Sequence, residues 1–448
     1  MRALLGKYSG AVPRYTSYPT APHFGENLDC GKYAQWLGEL RPGHDVSLYI
    51  HIPYCDRLCW FCACHTKHTL KYEPIATYLA ALHNEIATVG SLVGDGATVT
   101  AVHFGGGSPT MLTPADMIEL MRRLRSAFTF ADHVEVSVEM DPNDLDEPRY
   151  DALAEIGMTR ASLGVQDFEP KVQRTINRIQ TFEQTAGVVE AVRTRGVHSV
   201  NCDLLYGLPY QTLDSLERTV ADIITLDPDR IALFGYAHVP WMKKHQQMIP
   251  EAALPDVEAR YEQMTRAAEM LVAAGYQPIG IDHFAKPSDS LAVAAREGRL
   301  RRNFQGYTDD AANALIGLGA SSIGQLPQGY VQNMPATGEY QKMASGDGLC
   351  VVRGIELCED DRLRAHVIEQ IMCNFGFDFA EVRSLFPKGA ETVIGEARIF
   401  TAGNRDGLCS IEGERFRLTE TGRPFARSVA AVFDAYLSSG KGRHSIAV

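Results

Sequence analysis

Four cysteines crowd into one stretch of this 448-residue chain: Cys55, Cys59, Cys62 and Cys64. In a small secreted protein such crowding would mean disulfides. Here no secretory leader is read ahead of them and the chain is long enough to bury its own core, so one metal centre is the better reading. A tetrahedral zinc site takes two cysteine pairs, or one pair with two spaced histidines, and only His65 and His68 stand nearby. The C-x3-C-x2-C spacing of Cys55, Cys59 and Cys62, with Phe61 just before the third, instead suits three corners of a [4Fe–4S] cube. The fourth iron then has no protein ligand. Such an iron can chelate the amino and carboxylate groups of S-adenosylmethionine (SAM), and one electron passed to the sulfonium releases a 5′-deoxyadenosyl radical.

Cysteines with this task need a rigid element to present them. Residues 46–52 alternate in apolarity and stop at Pro53, which predicts a strand ending at the cysteine loop. The alternation of strand and helix continues to about Asp282, with strands expected over 46–52, 98–104, 134–140, 159–165, 198–205, 230–236 and 277–282. Amphipathic stretches at 75–90, 114–128, 181–196, 213–226 and 256–274 lie between them. That order predicts an α/β fold with a parallel sheet curled into a partial or full (β/α) barrel.

The unusual residues fall after these strands. The second ends in Gly105-Gly-Gly-Ser-Pro109, the third at Glu139, the fourth at Gln166, the fifth at Asp203 and Tyr206, the sixth at Tyr236-Ala-His238, and the seventh at Asp282-His283. Polar and glycine residues gathered at the C-terminal ends of successive strands describe one mouth. Gly106, Gly107 and Ser108 can hold the SAM ammonium, because glycine lets the main chain approach closely. Tyr49 and His51 are two residues apart and so share one face of the first strand.

Outside the alternation, residues 1–45 read as an extended N-terminal arm, rich in Gly and Pro at first, and 283–358 as an extension that completes the sheet edge and covers the mouth. Residues 359–448 read as a small, mostly helical, winged-helix-like C-terminal domain, with helices at 361–373, near 379–385 and at 422–437 and a strand pair around Leu408 to Leu418. The formal charge of −12 argues against a nucleic-acid surface, and no apolar run reaches membrane length. A cytoplasmic location is expected. The six scattered cysteines (Cys30, Cys202, Cys350, Cys358, Cys373, Cys409) read as buried small side chains.

The cysteine stretch and the strand-end motifs resemble the radical SAM superfamily. Within it the chain is similar to the oxygen-independent coproporphyrinogen III oxidase (dehydrogenase) family of haem biosynthesis, from Arg14-Tyr-Thr-Ser-Tyr-Pro-Thr20 to Met372-Cys-Asn-Phe375. Cys64 belongs to that pattern; related haem-chaperone proteins carry another residue there. The family usually has Thr where this chain has Ser108. The resemblance implies oxidative decarboxylation of the ring A and B propionates of coproporphyrinogen III to the vinyl groups of protoporphyrinogen IX. It implies two SAM molecules: Glu139, Gln166, Arg178 and Asp203 at the first, with Tyr49 and Phe61 beside it, and Ala237, Phe304, Gln305 and Ile323 at the second. Tyr49, His51 and Cys64 are the catalytic candidates, and Arg14, Arg57, Lys67, Arg301 and Arg302 the cations for the propionates. A monomer served by a separate electron donor and acceptor is expected. The competing readings are a relative acting on another tetrapyrrole, and a cluster-bearing sensor that binds DNA through its C-terminal module.

Overall fold

The apolar run that leads to the cysteines lies within a twelve-stranded sheet. The structure is a computed structural model and describes residues 2–8 and 10–437. Strand β1 (His44–Ile52) buries Val46, Leu48, Ile50 and Ile52 completely, as a parallel strand covered on both faces must. It is followed by β2 (Ala97–Gly106), β3 (Thr129–Met140), β4 (Arg160–Gln166), β5 (Ser199–Tyr206) and β6 (Arg230–Gly235). These six lie side by side in chain order and every neighbouring pair is parallel.

Crossover helices start where the sequence supplies caps. Thr113, Asp146, Thr181, Thr212 and Asp256 each accept a hydrogen bond from the amide three residues on. A cap of this kind contributes about 1 kcal/mol and fixes where each strand-end loop must stop. The helix Glu147–Glu155, which sequence periodicity did not reveal, is one of these.

The expected seventh strand at 277–282 is corrected. The chain makes a hairpin of β7 (Gln277–Ile279) and β8 (His283–Ala285), with β8 antiparallel to β6. Gly280 causes the reversal: it sits at φ +56°, and a Cβ there would meet the Tyr307 ring at 2.0 Å. The seventh parallel strand is β9 (Ala314–Leu318), beside β1, followed by the antiparallel β10 (Ile323–Leu326), β11 (Gly329–Asn333) and β12 (Val351–Glu356). The order β12-β11-β10-β9-β1-β2-β3-β4-β5-β6-β8-β7 leaves two free edges, so the barrel is partial.

The arm is less extended than expected, with helices at Arg2–Tyr8 and Cys30–Gly38, the second capped by Asp29. Beyond the sheet, helices Glu359–Asn374, Phe379–Leu385 and Ala390–Gly403 pack with a three-stranded sheet of Gly376–Asp378, Cys409–Glu412 and Arg415–Leu418. The helix expected over 422–437 is broken into a turn at Arg423–Phe425, a short helix Ala426–Ala430 and a turn at Ala431–Phe433. Pro424 removes one backbone donor and Asp434 is extended at φ −85°, ψ 101°. Leu5, Tyr15 and Tyr18 share one core with Leu363, Phe377 and Phe433, so the arm is built into the C-terminal region. Of the scattered cysteines, Cys358 departs from expectation: it is exposed, and its sulfur caps a helix by accepting from the Asp361 amide at 3.4 Å. Cys30 is half-buried.

Candidate active site

Pro53 ends β1, and the chain turns through a loop whose backbone is tied down on several sides. The Trp60 amide donates to the Ile176 carbonyl (2.9 Å) and the Cys62 amide to the Cys59 carbonyl (3.1 Å). Three side chains from a single segment also reach the loop. Lys243 Nζ donates to the Cys64 carbonyl (2.8 Å), His245 Nε2 to the Cys62 carbonyl (2.7 Å), and Gln246 Nε2 to the Phe61 carbonyl (2.9 Å). Sequence reasoning missed these three residues, which carry no motif; only their place after the sixth strand hinted at the mouth.

The glycine turn after β2 is cut to fit. The Gly107 amide donates to the Ile52 carbonyl (2.8 Å) and the Ser108 amide to the Tyr54 carbonyl (2.7 Å). A Cβ on Gly105 would meet the Glu139 carboxyl at 2.9 Å, and one on Gly107 the Tyr54 carbonyl oxygen at 2.4 Å. Gly106 sits at φ +113°, and a Cβ there would lie 2.6 Å from the His51 ring. The Ser108 hydroxyl turns into the protein, donating to Asp144 Oδ2 at 2.7 Å. Burial, and then the charge of Asp141, push the Asp144 carboxyl up to about 6.

Glu139 at the end of β3 accepts from the Gly106 amide (3.0 Å) and lies 3.2 Å from His103 Nε2, yet 40 % of its side-chain surface stays open to the mouth. Its surroundings resist ionisation, but His103, the Gly106 amide and His51 outweigh them and hold it below the ordinary carboxylate range. Arg178 is buried: Nη1 lies 3.0 Å from Asp141 Oδ2 and 3.6 Å from Cys59 Sγ, while Nη2 donates to the Gly164 carbonyl at 2.6 Å. A Cβ on Gly164 would meet Arg178 Nη2 at 3.1 Å and Gln166 Nε2 at 3.2 Å, so both polar ends converge there. Gln166 is itself held in the left-handed region at φ +70°, a conformation that costs a non-glycine residue energy. Asp203 accepts from Asn201 Nδ2 at 2.8 Å, and burial raises it to about 6.

His51 is buried, and its tautomer follows from its partners. Nε2 donates to the His65 carbonyl (3.0 Å), so Nδ1 accepts from the Tyr49 hydroxyl (3.0 Å). Burial pulls this imidazole down to about 4, so it is neutral at pH 7. Tyr49 also stacks on His103, with ring centroids 5.7 Å apart. The Cys64 amide donates to Cys62 Sγ at 3.4 Å, and the Cys64 thiol, bonded to the same sulfur, favours the Cys62 thiolate while its own proton is held tightly.

The residues expected at a second SAM are more dispersed. Ala237 follows β6 and its carbonyl accepts from Gln246 Nε2 at 3.3 Å. Phe304 and Gln305 form the turn between the short strands Arg301–Asn303 and Gly306–Thr308, and Ile323 opens β10. Of the expected propionate cations, Arg57 pairs with Asp56 (2.8 Å) and Arg301 with Glu369 (3.1 Å), and Lys67 is exposed. Arg14 and Arg302 both line a large cavity beside β6.

The radical SAM superfamily model matches residues 49–223, and the HemN C-terminal domain model residues 357–425. A protein of Bradyrhizobium diazoefficiens named oxygen-independent coproporphyrinogen III oxidase is 48 % identical over 98 % of this chain and 97 % of its own. The chain belongs to the oxygen-independent coproporphyrinogen III oxidase family. A Pseudomonas aeruginosa member of the same name is 41 % identical over 97 % of this chain and 96 % of its own. The solved coproporphyrinogen III oxidase (HemN) of Escherichia coli, described as a radical SAM enzyme, superposes with a TM-score of 0.92 at 37 % identity, covering 98 % of this chain and 99 % of that one.

As a radical SAM enzyme of this family, the chain uses a [4Fe–4S] cluster and SAM, and the cysteine loop fits the first. Among the described residues, the only set of three or more metal-ligating side chains with donor atoms all within 4.8 Å of one another is Asp56, Asp141 and Asp144. Cys55, Cys59 and Cys62 therefore stand too far apart for one tetrahedral ion, whose thiolate sulfurs at bonds of about 2.3 Å would lie roughly 3.8 Å from each other. Burial, then the nearby Cys62 and Cys59, push the Cys55 thiol up, so a thiolate at Cys55 calls for a cationic centre beside it.

Proposed function

We propose that this chain oxidatively decarboxylates the ring A and B propionates of coproporphyrinogen III, giving the vinyl groups of protoporphyrinogen IX. One arrangement carries the reading: a pinned cysteine loop at the end of β1 faces the glycine turn, Glu139 and the Gln166–Arg178 pair across a single mouth. Bound here, the cluster and SAM would supply a 5′-deoxyadenosyl radical for hydrogen abstraction at the propionate β-carbon, and loss of CO2 with one electron to an acceptor would leave the vinyl group.

The rest falls to side chains. Cys55, Cys59 and Cys62 hold the cluster. The Gly106–Gly107 backbone and Glu139 orient the SAM amine, Arg178 faces its carboxylate, and Asp203 and Gln166 take the ribose hydroxyls. Ala237, Phe304, Gln305 and Ile323 serve a second SAM, and Phe61 walls the first. His51, neutral and donating from Nε2 to the backbone, fixes the Tyr49 hydroxyl rather than exchanging a proton itself. Cys64, exposed two residues beyond Cys62, is left off the cluster and stands at the mouth, where its thiol can give a proton or hydrogen atom.

We assign residues 1–45 to the arm, 46–358 to the barrel with its extension, and 359–448, of which 438–448 lie outside the described residues, to a C-terminal unit that shares its core with the arm. The enzyme acts as a cytoplasmic monomer with a separate electron donor and acceptor. No helix among the described residues is long and apolar enough to cross a membrane. The test is anaerobic reconstitution with iron and sulfide, then electron paramagnetic resonance with and without SAM and assay of vinyl product from coproporphyrinogen III. Cys55→Ala is expected to lose the reduced-cluster signal and Cys64→Ala to keep it. A wild-type spectrum indifferent to SAM, or 5′-deoxyadenosine formed without vinyl product, overturns the assignment.

A further inference from the structure

A cavity of about 930 Å3 opens beside β6, where β8 stops pairing with it after Ala232. That volume is near the upper end for small-molecule sites, which run from about 300 to 1,000 Å3. Leu233, Phe234, Trp241 and Met264 give it an apolar wall. Five arginines from four separate parts of the chain also line it: Arg14 of the arm, Arg260 of helix Val257–Ala273, Arg302 of the extension, and Arg423 and Arg427 of the C-terminal region, where Arg423 pairs with Glu420 at 3.2 Å.

Two of these cations, Arg260 and Arg302, are under-compensated. Three further carboxylates, Asp256, Glu269 and Glu420, are exposed, and the inner one is Asp282. Asp282 is already shared, lying 2.7 Å from His283 Nδ1 and 3.8 Å from Arg302 Nη1. Arg302 has only 4 % of its side chain exposed, and its Nε and Nη1 are buried without a hydrogen-bond partner. Arg260 Nε is likewise buried and unpartnered, its guanidinium 5.6 Å from the Tyr206 ring centroid. Arg427 Nε donates to the Pro13 carbonyl at 3.2 Å and its Nη2 to the Val12 carbonyl at 2.5 Å, which fastens the segment that carries Arg14. Burial, and among other neighbours the guanidinium groups themselves, lower the affinity of Arg14, Arg260 and Arg427 for their protons. Gathering guanidinium groups this way is costly unless an anion neutralises them.

We propose that this cavity seats the carboxylates of the substrate's propionates that are not reacting, with Arg260 and Arg302 as their forked partners and the apolar wall against the macrocycle. This rests on the tetrapyrrole reading above and deepens it. An apolar disc edged with several carboxylates matches a chamber with one greasy wall and guanidinium groups from four directions. Tyr206 ends β5 and Ala237 follows β6, and both line the cavity, so it adjoins the strand ends that carry Asp203.

The probe is coproporphyrin III, the fluorescent aromatic form of the tetra-acid, with its tetramethyl ester as the uncharged control. Wild type is expected to bind the acid and not the ester. Arg260→Gln and Arg302→Gln are expected to weaken the acid by about tenfold or more each, as loss of a charged hydrogen-bond partner does. They should raise KM for coproporphyrinogen III more than they lower kcat, with Arg260→Lys recovering part of the loss. Iron content and circular dichroism equal to wild type confirm that the variants fold. As a measurement that needs no variant, phenylglyoxal labelling of wild type followed by peptide mapping should show Arg14 and Arg260 protected by the acid and not by the ester. Unchanged affinity in both Gln variants, or equal labelling with and without the acid, overturns the proposal. Absence of vinyl product from wild type sinks the functional reading instead, and acid-selective, arginine-dependent binding then still supports the anion seat.

Discussion

Gln246 is buried at 0 % exposure and holds the cysteine loop to the strand end beyond β6. Its carboxamide donates to the Phe61 carbonyl at 2.9 Å and the Ala237 carbonyl at 3.3 Å, and accepts from the Val239 amide at 2.6 Å. Gln246→Leu keeps the volume and strands all three backbone groups away from water. Only the Phe61 bond reaches the cysteine loop, and stranding one buried carbonyl costs about 1 to 3 kcal/mol, so the closed loop should weaken by up to about 3 kcal/mol. Since about 1.4 kcal/mol is tenfold, the open fraction should rise by up to roughly two orders of magnitude. The assay is anaerobic: cluster-loaded protein is mixed with an iron chelator and iron release followed by absorbance. We expect release to accelerate by up to about 100-fold if opening precedes it. Lys243→Ala removes one bond to the Cys64 carbonyl from a part-exposed side chain and should give less than about tenfold. Gln263→Leu is the control for general damage, because that buried glutamine bonds Gly207 and Gln211 and does not touch the loop. Gln246→Leu releasing iron within about twofold of wild type, or Gln263→Leu matching it, would refute the reasoning.

Two further outcomes concern stability. Glu85 is buried, accepts from the Gly319 amide (2.8 Å), Asn333 Nδ2 (2.5 Å) and the Tyr340 hydroxyl (2.5 Å), and is raised by burial to about 7. Its folded-state carboxyl prefers the proton, so its contribution is complete below the ordinary value of 4.5 and is lost as the pH climbs through 7. Against Glu85→Gln, wild type should lose about 3 kcal/mol between pH 4.5 and 8 in urea unfolding of the apo-protein; a pH-independent difference speaks against it. Arg178→Met should cost about 3 to 5 kcal/mol by stranding the Asp141 carboxylate, and Asp141→Asn in the same chain should restore part of that. Strict additivity of the two changes in the same unfolding assay would deny the pairing.

The barrel strands were readable because each ends in residues a strand interior would not carry: cysteines after β1, glycines after β2, Glu139, Gln166 and Asp203 after the next three. Reading faltered where a single contact overrides the pattern. The apolar run at 277–282 looks continuous, but Gly280 yields to the Tyr307 ring and the chain doubles back. Residues 314–318 look like part of a glycine-rich turn, yet form β9, because Gly317 lets the chain close on the Ile323 backbone, 2.9 Å from where a Cβ would lie. Arg260 and Gln246 were invisible for a different reason. One sits in an ordinary amphipathic helix and the other in an unpatterned loop, so only burial and direction, which are tertiary facts, mark them out.

Arg427 grips the Val12 and Pro13 carbonyls, Ser428 the Tyr8 carbonyl at 2.7 Å, and Ala435 the Tyr18 hydroxyl at 3.0 Å, each across more than 400 residues of sequence. During synthesis the segment from Tyr8 to Tyr18 must therefore wait, its aromatic rings without a home, until nearly the whole chain has left the ribosome. The arginine chamber is consequently among the last parts of the molecule to be enclosed. A nascent chain could assemble its β1 to β6 sheet well before it possesses a floor on which a large, oxygen-sensitive guest could settle.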